Sequence, residues 1–280
     1  MKRRLCLISL WVGLTLPAAS SDAHEFWLAP SKYVAPPRTP LEIRALAGTG
    51  FRGESKPWSP AHCVRFVARA ARLLDMTPAA TPGEFAWASF ALSDAGGALL
   101  GFESGFTPIE LPAPQFDAYL ADEGLTGPLA ERRRAGTGKP GRERYRRCAK
   151  TWLAGDDAGR ATIALGLPLE IVPRTIPGTR GVLRAQVLWN GRPLSGALVK
   201  AWRAPLNAGG ALTDAATRDS LGSAWRGATD AQGEVSVPVT RGGEWLLSVV
   251  HMVRSTARDE TDWESTWASL TFERVEETPQ

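Results

Sequence analysis

The apolar residues of this 280-residue chain fall mostly into short alternating runs that end at Gly, Pro, Asn or Asp. Residues 183–189 alternate up to the turn signal Asn190-Gly191, and residues 235–239 repeat the alternation before Gly242-Gly243. Alternating strands with a turn signal about every eight to twelve residues are typical of β-sandwiches. We therefore expect a mainly β fold built from two β-sandwich domains.

A junction between these domains is predicted at Pro173–Gly181, which contains two Pro and two Gly. The N-terminal domain is expected over residues 24–175, where short apolar stretches are less regular. The C-terminal domain is expected over residues 180–275.

A helical insertion is predicted within the first domain at about residues 114–155. Apolar residues recur at helical spacing in residues 116–125 and again in residues 143–153. In this interpretation Cys148 lies on the buried stripe of the second helix.

The first 23 residues have the pattern of a cleaved secretory signal. A basic start at residues 2–4 precedes an apolar run too short to span a bilayer and a small-residue end. Cleavage after Ala23 would leave His24 as the mature amino terminus, and cleavage after Ala19 is the alternative. No other apolar run approaches membrane-spanning length, so we expect a periplasmic protein without a transmembrane segment.

Signal cleavage changes the charge balance and the cysteine count. The full chain has 33 basic and 29 acidic residues, and the mature chain would have 30 and 28. An arginine-rich run at residues 132–150 is then best read as a solvated surface, and no nucleic-acid partner is expected. Loss of Cys6 leaves Cys63 and Cys148, which we predict to form a disulfide in an oxidising compartment.

Only three His are present, and His24 would gain a special property as the terminal residue. Its α-amine and its ring Nδ1 can chelate one metal ion together. The amine has a reference pKa of about 8, so it can deprotonate for binding near neutral pH. A second imidazole would complete a set of nitrogens suited to tetragonal Cu(II).

His251 is the predicted second imidazole, because it ends an apolar strand face at residues 245–251. Glu264 is the predicted carboxylate ligand, while Glu25 and Asp262 are expected to orient the ligands from outside the coordination sphere. Each of these residues has a plain alternative: a packed strand histidine for His251 and solvated acids for the others.

Other chemistry finds less support in the sequence. His62 stands next to Cys63 and is interpreted as incidental, and Met252 is interpreted as a core residue. The sequence has no G-x-S-x-G, H-E-x-x-H or CxxC motif, so hydrolytic catalysis is not indicated.

Several segments in order along the mature chain resemble one known family. They are AHEFWLAP at residues 23–30, FDAYLADEGL at 116–125, RERYRRCAKTWL at 142–153, LPLEIVP at 167–173, GALVKAW at 196–202, VVHMVR at 249–254 and DWESTWASLTFE at 262–273. The sequence resembles the DUF4198 family of exported bacterial proteins, which look like periplasmic components of nickel, cobalt or copper handling. The resemblance implies metal binding through His24 and His251 and a second half similar to transthyretin-like or carboxypeptidase-regulatory-like β-sandwiches.

These features predict a periplasmic protein that binds one Cu(II), Ni(II) or Co(II) ion per chain and is not an enzyme. Uptake, buffering and delivery to a membrane metal transporter or another envelope protein are all consistent with this role. One alternative is a non-metal module that engages an envelope partner. The other is a copper enzyme that uses the terminal histidine for oxidative cleavage.

Overall fold

The computed structural model describes residues 25–136, 138–179, 181–206, 223–257 and 261–275. The first strands are β1 (Glu25–Pro30), β2 (Pro40–Thr49), β3 (Arg52–Lys56), β4 (Cys63–Arg69), β5 (Leu73–Asp75), β6 (Ala88–Ala91), β7 (Ala98–Ser104), β8 (Thr107–Leu111), β9 (Gly141–Leu153) and β10 (Leu169–Pro173). The later strands are β11 (Gly181–Trp189), β12 (Arg192–Pro193), β13 (Leu198–Ala204), β14 (Trp225–Ala228), β15 (Glu234–Val239), β16 (Gly243–Arg254) and β17 (Trp263–Arg274). The helices are α1 (Ala113–Asp122), α2 (Thr126–Arg134) and α3 (Ala158–Ala161), with short 3-10 turns at Pro60–His62 and Thr77–Ala79.

These elements confirm the mainly β prediction and form three sheets. The central sheet has nine strands, in the order β14-β13-β16-β17-β9-β7-β4-β5, with β8 also paired to β9. The N-terminal sheet is β1-β2-β3 with β6 on β2, and the C-terminal sheet is β10-β11-β12 with β15 on β11. Within the described ranges, no helix is long and apolar enough to cross a membrane.

The two smaller sheets pack on opposite faces of the central sheet. Phe26 and Leu28 of β1 share a buried cluster with Ala149 of β9. Ile171 of β10 shares a different cluster with Cys148, the next residue along β9. Because side chains alternate along a strand, these two clusters lie on the two faces of β9.

Strand β9 replaces the second helix that was predicted at residues 143–153. The apolar residues Tyr145, Cys148, Ala149 and Trp152 match a helical stripe, but they match a strand buried on both faces equally well. Neighbouring strands decide between the two, because β9 pairs antiparallel with β7 and parallel with β17. The helical insertion is therefore limited to α1 and α2.

Helix α1 confirms the first predicted helix. Phe116 and Leu120 are fully buried, four residues apart, against Trp263 and Trp267 of β17. The apolar stripe thus packs α1 onto the same face of the central sheet as the N-terminal sheet.

Residues from both predicted domains contribute to the central sheet. Strand β17 comes from the expected C-terminal domain, and its residues 263–271 pair with residues 143–151 of β9 from the expected N-terminal domain. The division of the chain at residues 175–180 into two folding units stays a prediction.

The predicted disulfide between Cys63 and Cys148 is wrong, since both thiols are free. Cys63 is in β4 and Cys148 is in β9, with β7 between them. Two strand spacings put the cysteines about 10 Å apart, beyond the reach of a disulfide. Cys63 also packs with the N-terminal sheet cluster, whereas Cys148 packs with the C-terminal one.

A fully buried ion pair joins β9 to β10. The Lys150 Nζ donates to Glu170 Oε1 at 2.8 Å, and both side chains are 1% exposed. Glu170 also accepts hydrogen bonds from the backbone N–H groups of Leu165, Gly166 and Leu167. The carboxylate therefore orders the chain leading into β10 as well as compensating the buried lysine.

We expect Glu170→Gln to lower the free energy of unfolding by about 3–5 kcal/mol, because it leaves the Lys150 charge buried without a counter-ion. Equilibrium denaturant unfolding measures the change. Glu42→Gln is the control, because it removes an exposed ion pair with Arg44 at 2.8 Å and should cost at most about 1 kcal/mol. Equal effects of the two substitutions would contradict a stabilising role for the buried pair.

Candidate functional site

Two of the three sequence-predicted metal ligands, His251 and Glu264, lie on the paired strands β16 and β17. His24 lies outside the described residues, so its position is not compared with the others. Among the residues that are described, no group of three or more His, Cys, Asp or Glu is arranged to hold a metal ion.

His251 lies on β16, on the face of the central sheet that carries the C-terminal sheet. Its ring packs edge-on against Trp189, with 4.8 Å between ring centroids. Burial lowers the pKa of His251, which favours the neutral ring. The Arg146 guanidinium carbon lies over the Trp189 ring, 5.8 Å from its centroid.

Glu264 is close to His251 on the same face, but its carboxylate already has partners. Arg144 Nη2 donates to it at 2.5 Å, Ser255 Oγ at 3.2 Å and the Thr256 N–H at 3.0 Å. Burial raises the pKa of Glu264, and these donors outweigh burial and hold it below its ordinary value. Asp262 forms a similar pair with Arg142 at 3.2 Å. The acids near His251 are thus neutralised by arginines, an arrangement that does not favour a metal cation.

Glu25 lies on the opposite face of the central sheet from His251. Its charge interacts with Lys200 of β13, which pairs with Ser248 of β16. Ser248 and His251 are three residues apart, so their side chains point to opposite faces. The structure therefore does not bring Glu25 and His251 together.

Glu25 is a buried acid at the beginning of β1. It is 3% exposed, and its Oε2 has no hydrogen-bond partner among the described residues. Burial, together with the charge of Glu123, raises its pKa to about 7. Lys200 donates instead to Asp122 at 2.5 Å and to Glu123 at 2.6 Å.

A cavity of about 410 Å³ lies between the N-terminal sheet and the central sheet. We call it the aromatic cavity. It is lined by Phe26, Ala47, Lys56, Pro57, Trp58, Ser59, His62, Trp87, Phe102, Ser104, Thr107, Tyr145 and Arg147. Strands β1, β2 and β3 form one wall, β7, β8 and β9 form the other, and the segment that follows β3 closes one side.

Large aromatic rings form most of the wall of the aromatic cavity. Trp87 contacts Trp58 and Phe102, with ring centroids 4.9 Å apart in both pairs. Phe26 packs against Phe102 at 5.6 Å. The Trp87 indole N–H donates to the Lys56 carbonyl at 2.7 Å, which fixes the ring plane. Edge-to-face packing of this kind holds the rings in defined orientations.

Arg147 brings a positive charge into this aromatic wall. Its guanidinium carbon lies 5.2 Å from the Phe26 ring centroid and 5.1 Å from that of Tyr145. Burial lowers the pKa of Arg147, and the neighbouring Tyr145 side chain and the charge of Glu25 offset part of this effect. An arginine keeps its proton under such conditions, so the group remains a cation.

Sequence reasoning missed Arg147 because it treated residues 143–153 as a helix and the basic run as a solvated surface. Strand alternation of Tyr145, Arg147 and Ala149 would have placed Arg147 with the apolar face. His62, which is interpreted as incidental from the sequence alone, is an exposed residue that lines the aromatic cavity.

The raised pKa of Glu25 makes stability depend on pH. The folded state keeps the Glu25 proton up to about pH 7, whereas the unfolded chain loses it near 4.5. The native state therefore binds more protons in this window, and stability falls as pH rises through it. We compare the free energy of unfolding of Glu25→Gln with that of the original chain. On going from about pH 4 to about pH 8, we expect this difference to shift in favour of the variant by roughly 3 kcal/mol.

Denaturant unfolding of both proteins across this pH range measures the difference. Glu42→Gln, at an exposed position of β2, is the control. A Glu25→Gln effect that is the same at both ends of the range would contradict the buried neutral carboxyl.

Comparisons with known proteins give a family but no named function. No curated protein matches the sequence. Among solved structures, the D0-D1 domain of Intimin aligns with 88% of this chain and 96% of its own, at 11% identity and a TM-score of 0.19. This similarity carries no argument about function. The family model described as "Domain of unknown function (DUF4198)" matches residues 21–253. The chain belongs to the DUF4198 family.

Proposed function

We propose that this chain is a binding protein that holds a small molecule in the aromatic cavity. The observation that carries the proposal is the cavity itself, with about 410 Å³ of space between two sheets. Ligand sites of small molecules are commonly concave, mostly apolar and several hundred Å³ in volume, with a few polar groups for orientation. The signal-like residues 1–23 support a periplasmic location for this activity.

Binding rather than catalysis fits the positions of the buried acids, although His62 and Tyr145 line the cavity. A general acid or base must come within hydrogen-bond reach of its substrate. The two buried acids whose pKa is raised to about 7 are Glu25 and Glu143. Neither of them lines the aromatic cavity. We therefore retain the expectation that the protein is not an enzyme.

Filling the aromatic cavity should abolish binding. Ala47 of β2 lines the cavity, and Ala47→Phe adds a ring to its interior. Ligand-observed NMR with a panel of two-ring aromatic compounds, charged and neutral, tests the proposal. We expect at least one compound to bind the original chain and to bind Ala47→Phe at least about tenfold more weakly.

The matched control is Ala91→Phe, at an exposed position of β6, which should leave binding unchanged. The proposal fails if no compound binds, or if Ala47→Phe binds as well as Ala91→Phe.

A second proposed function is transition-metal binding, as the family resemblance implies. Its support is the position of the aromatic cavity: Phe26, two residues after His24, lines the cavity together with His62. A mature chain that begins at His24 would supply an amine and an imidazole, and His62 would supply another imidazole. We assign His62 to this role instead of His251, because His251 and Glu25 lie on opposite faces of the central sheet. Cu(II), Ni(II) or Co(II) would bind once per chain, for delivery to a transporter or another envelope protein.

Calorimetry with Cu(II) on a chain that begins at His24 tests the metal proposal. One extra residue before His24, or His62→Ala, should weaken binding by at least about tenfold, because each removes a nitrogen ligand. Binding should also weaken in acid, since the amine must lose its proton. His251→Ala is the control, and we expect it to bind Cu(II) with the affinity of the original chain. Loss of affinity in His251→Ala alone would contradict the assignment.

A further inference from the structure

Arg147 differs from the other arginines of β9 in having no described carboxylate at ion-pair distance, although the charge of Glu25 acts on it from further away. Within the described ranges, no carboxylate lies within 4.0 Å of its guanidinium. By contrast, the other arginines of this strand pair with acids, namely Arg142 with Asp262, Arg144 with Glu264, and Arg146 with Glu103.

The surroundings of Arg147 compensate its charge only in part. Phe26 and Tyr145 present their rings to the guanidinium at 5.2 and 5.1 Å. A cation over an aromatic face is stabilised only modestly. Removing a charge from water is costly, so an anion in contact with Arg147 would supply the close counter-charge that no described carboxylate provides.

The rest of the aromatic cavity suits a flat apolar group. Phe26, Trp87 and Phe102 offer ring faces and edges, and Ala47 leaves space beside them. Hydroxyl groups of Ser59, Thr107 and Tyr145 stand along the same lining. The Ser104 hydroxyl already has partners, because it donates to the Gly105 carbonyl and accepts from the backbone N–H of Arg147.

We propose that the aromatic cavity binds a planar aromatic carboxylate, with the carboxylate on Arg147 and the ring system among Phe26, Trp87 and Phe102. This inference rests on the proposed function of the cavity as a ligand site, and it names the chemical class of the ligand. The planar guanidinium can meet a carboxylate with two parallel N–H···O bonds, which a lysine cannot do. The aromatic walls add stacking and edge-to-face contacts with the ring system.

A matched pair of probes distinguishes the contribution of ligand charge to binding from that of ligand shape. The probes are 2-naphthoate and its neutral amide, 2-naphthamide, and their dissociation constants are measured by calorimetry on the full mature chain. We expect 2-naphthoate to bind the original chain at least about tenfold more tightly than 2-naphthamide, because only the carboxylate is a charged acceptor. Arg147→Gln should remove this preference, and Arg147→Lys should retain only part of it.

The matched control variant is Arg146→Gln, on the same strand but on the opposite face. It should keep the preference for 2-naphthoate. Circular dichroism and thermal unfolding establish that each variant is folded, and detectable 2-naphthamide binding by Arg147→Gln shows that its cavity still accepts the ring system.

The remaining outcomes are distinct. If both probes bind equally and Arg147→Gln changes neither, the carboxylate inference is overturned while the cavity remains a ligand site. If 2-naphthoate binds but Ala47→Phe does not weaken it, the carboxylate binds elsewhere and the inference is again overturned. If neither probe binds, the inference fails and the proposed function loses support with it.

Discussion

The parallel pairing of β9 with β17 is the interaction on which the rest of this structure depends. It joins strands that are 120 residues apart in the chain, from Glu143–Trp263 to Thr151–Thr271. Because β7 and β8 pair with residues 148–153 and 141–145 along the other edge of β9, this strand has both edges hydrogen-bonded and both faces covered. Its alternating side chains therefore belong to two different environments. Arg147 faces the aromatic cavity, and Cys148 and Lys150 face the C-terminal sheet.

The charged side chains on the two faces of β9 differ in their partners. Lys150 has a carboxylate at 2.8 Å, and that carboxylate is saturated by three backbone N–H groups. Such a complete set of partners is what a structural ion pair requires. Arg147 has two aromatic rings near its guanidinium and no paired carboxylate among the described residues, with Glu25 interacting only at longer range, and it lines a cavity. An incompletely compensated charge beside open space is a reason to look for a ligand.

Arginines also explain why His251 and Glu264 form a poor cation site despite their proximity. Arg144 binds Glu264 directly, and Arg146 donates to the hydroxyl of Thr266, which is opposite His251 in the strand pair. A metal ion would have to displace a guanidinium and then remain next to another one. The aromatic cavity lies on the other face, where Phe26 is near His24 in the chain. The metal and carboxylate proposals therefore concern one region of the protein and compete there, because the cationic Arg147 beside His62 in the cavity lining favours an anion and disfavours a metal ion.

The sequence by itself determined the mainly β class, the α1 helix and the family, because short alternating runs, a helical stripe and ordered segment matches are local properties of the chain. It did not determine the state of residues 143–153, since a strand buried on both faces has no alternation to distinguish it from a buried helix. The helical interpretation of this segment therefore predicts the wrong surroundings for both Cys148 and Arg147. Tertiary structure decided the separation of Cys63 from Cys148 and the opposite faces of Glu25 and His251. It also decided the aromatic cavity, because sheet order and packing set these distances and neither is encoded in any local pattern.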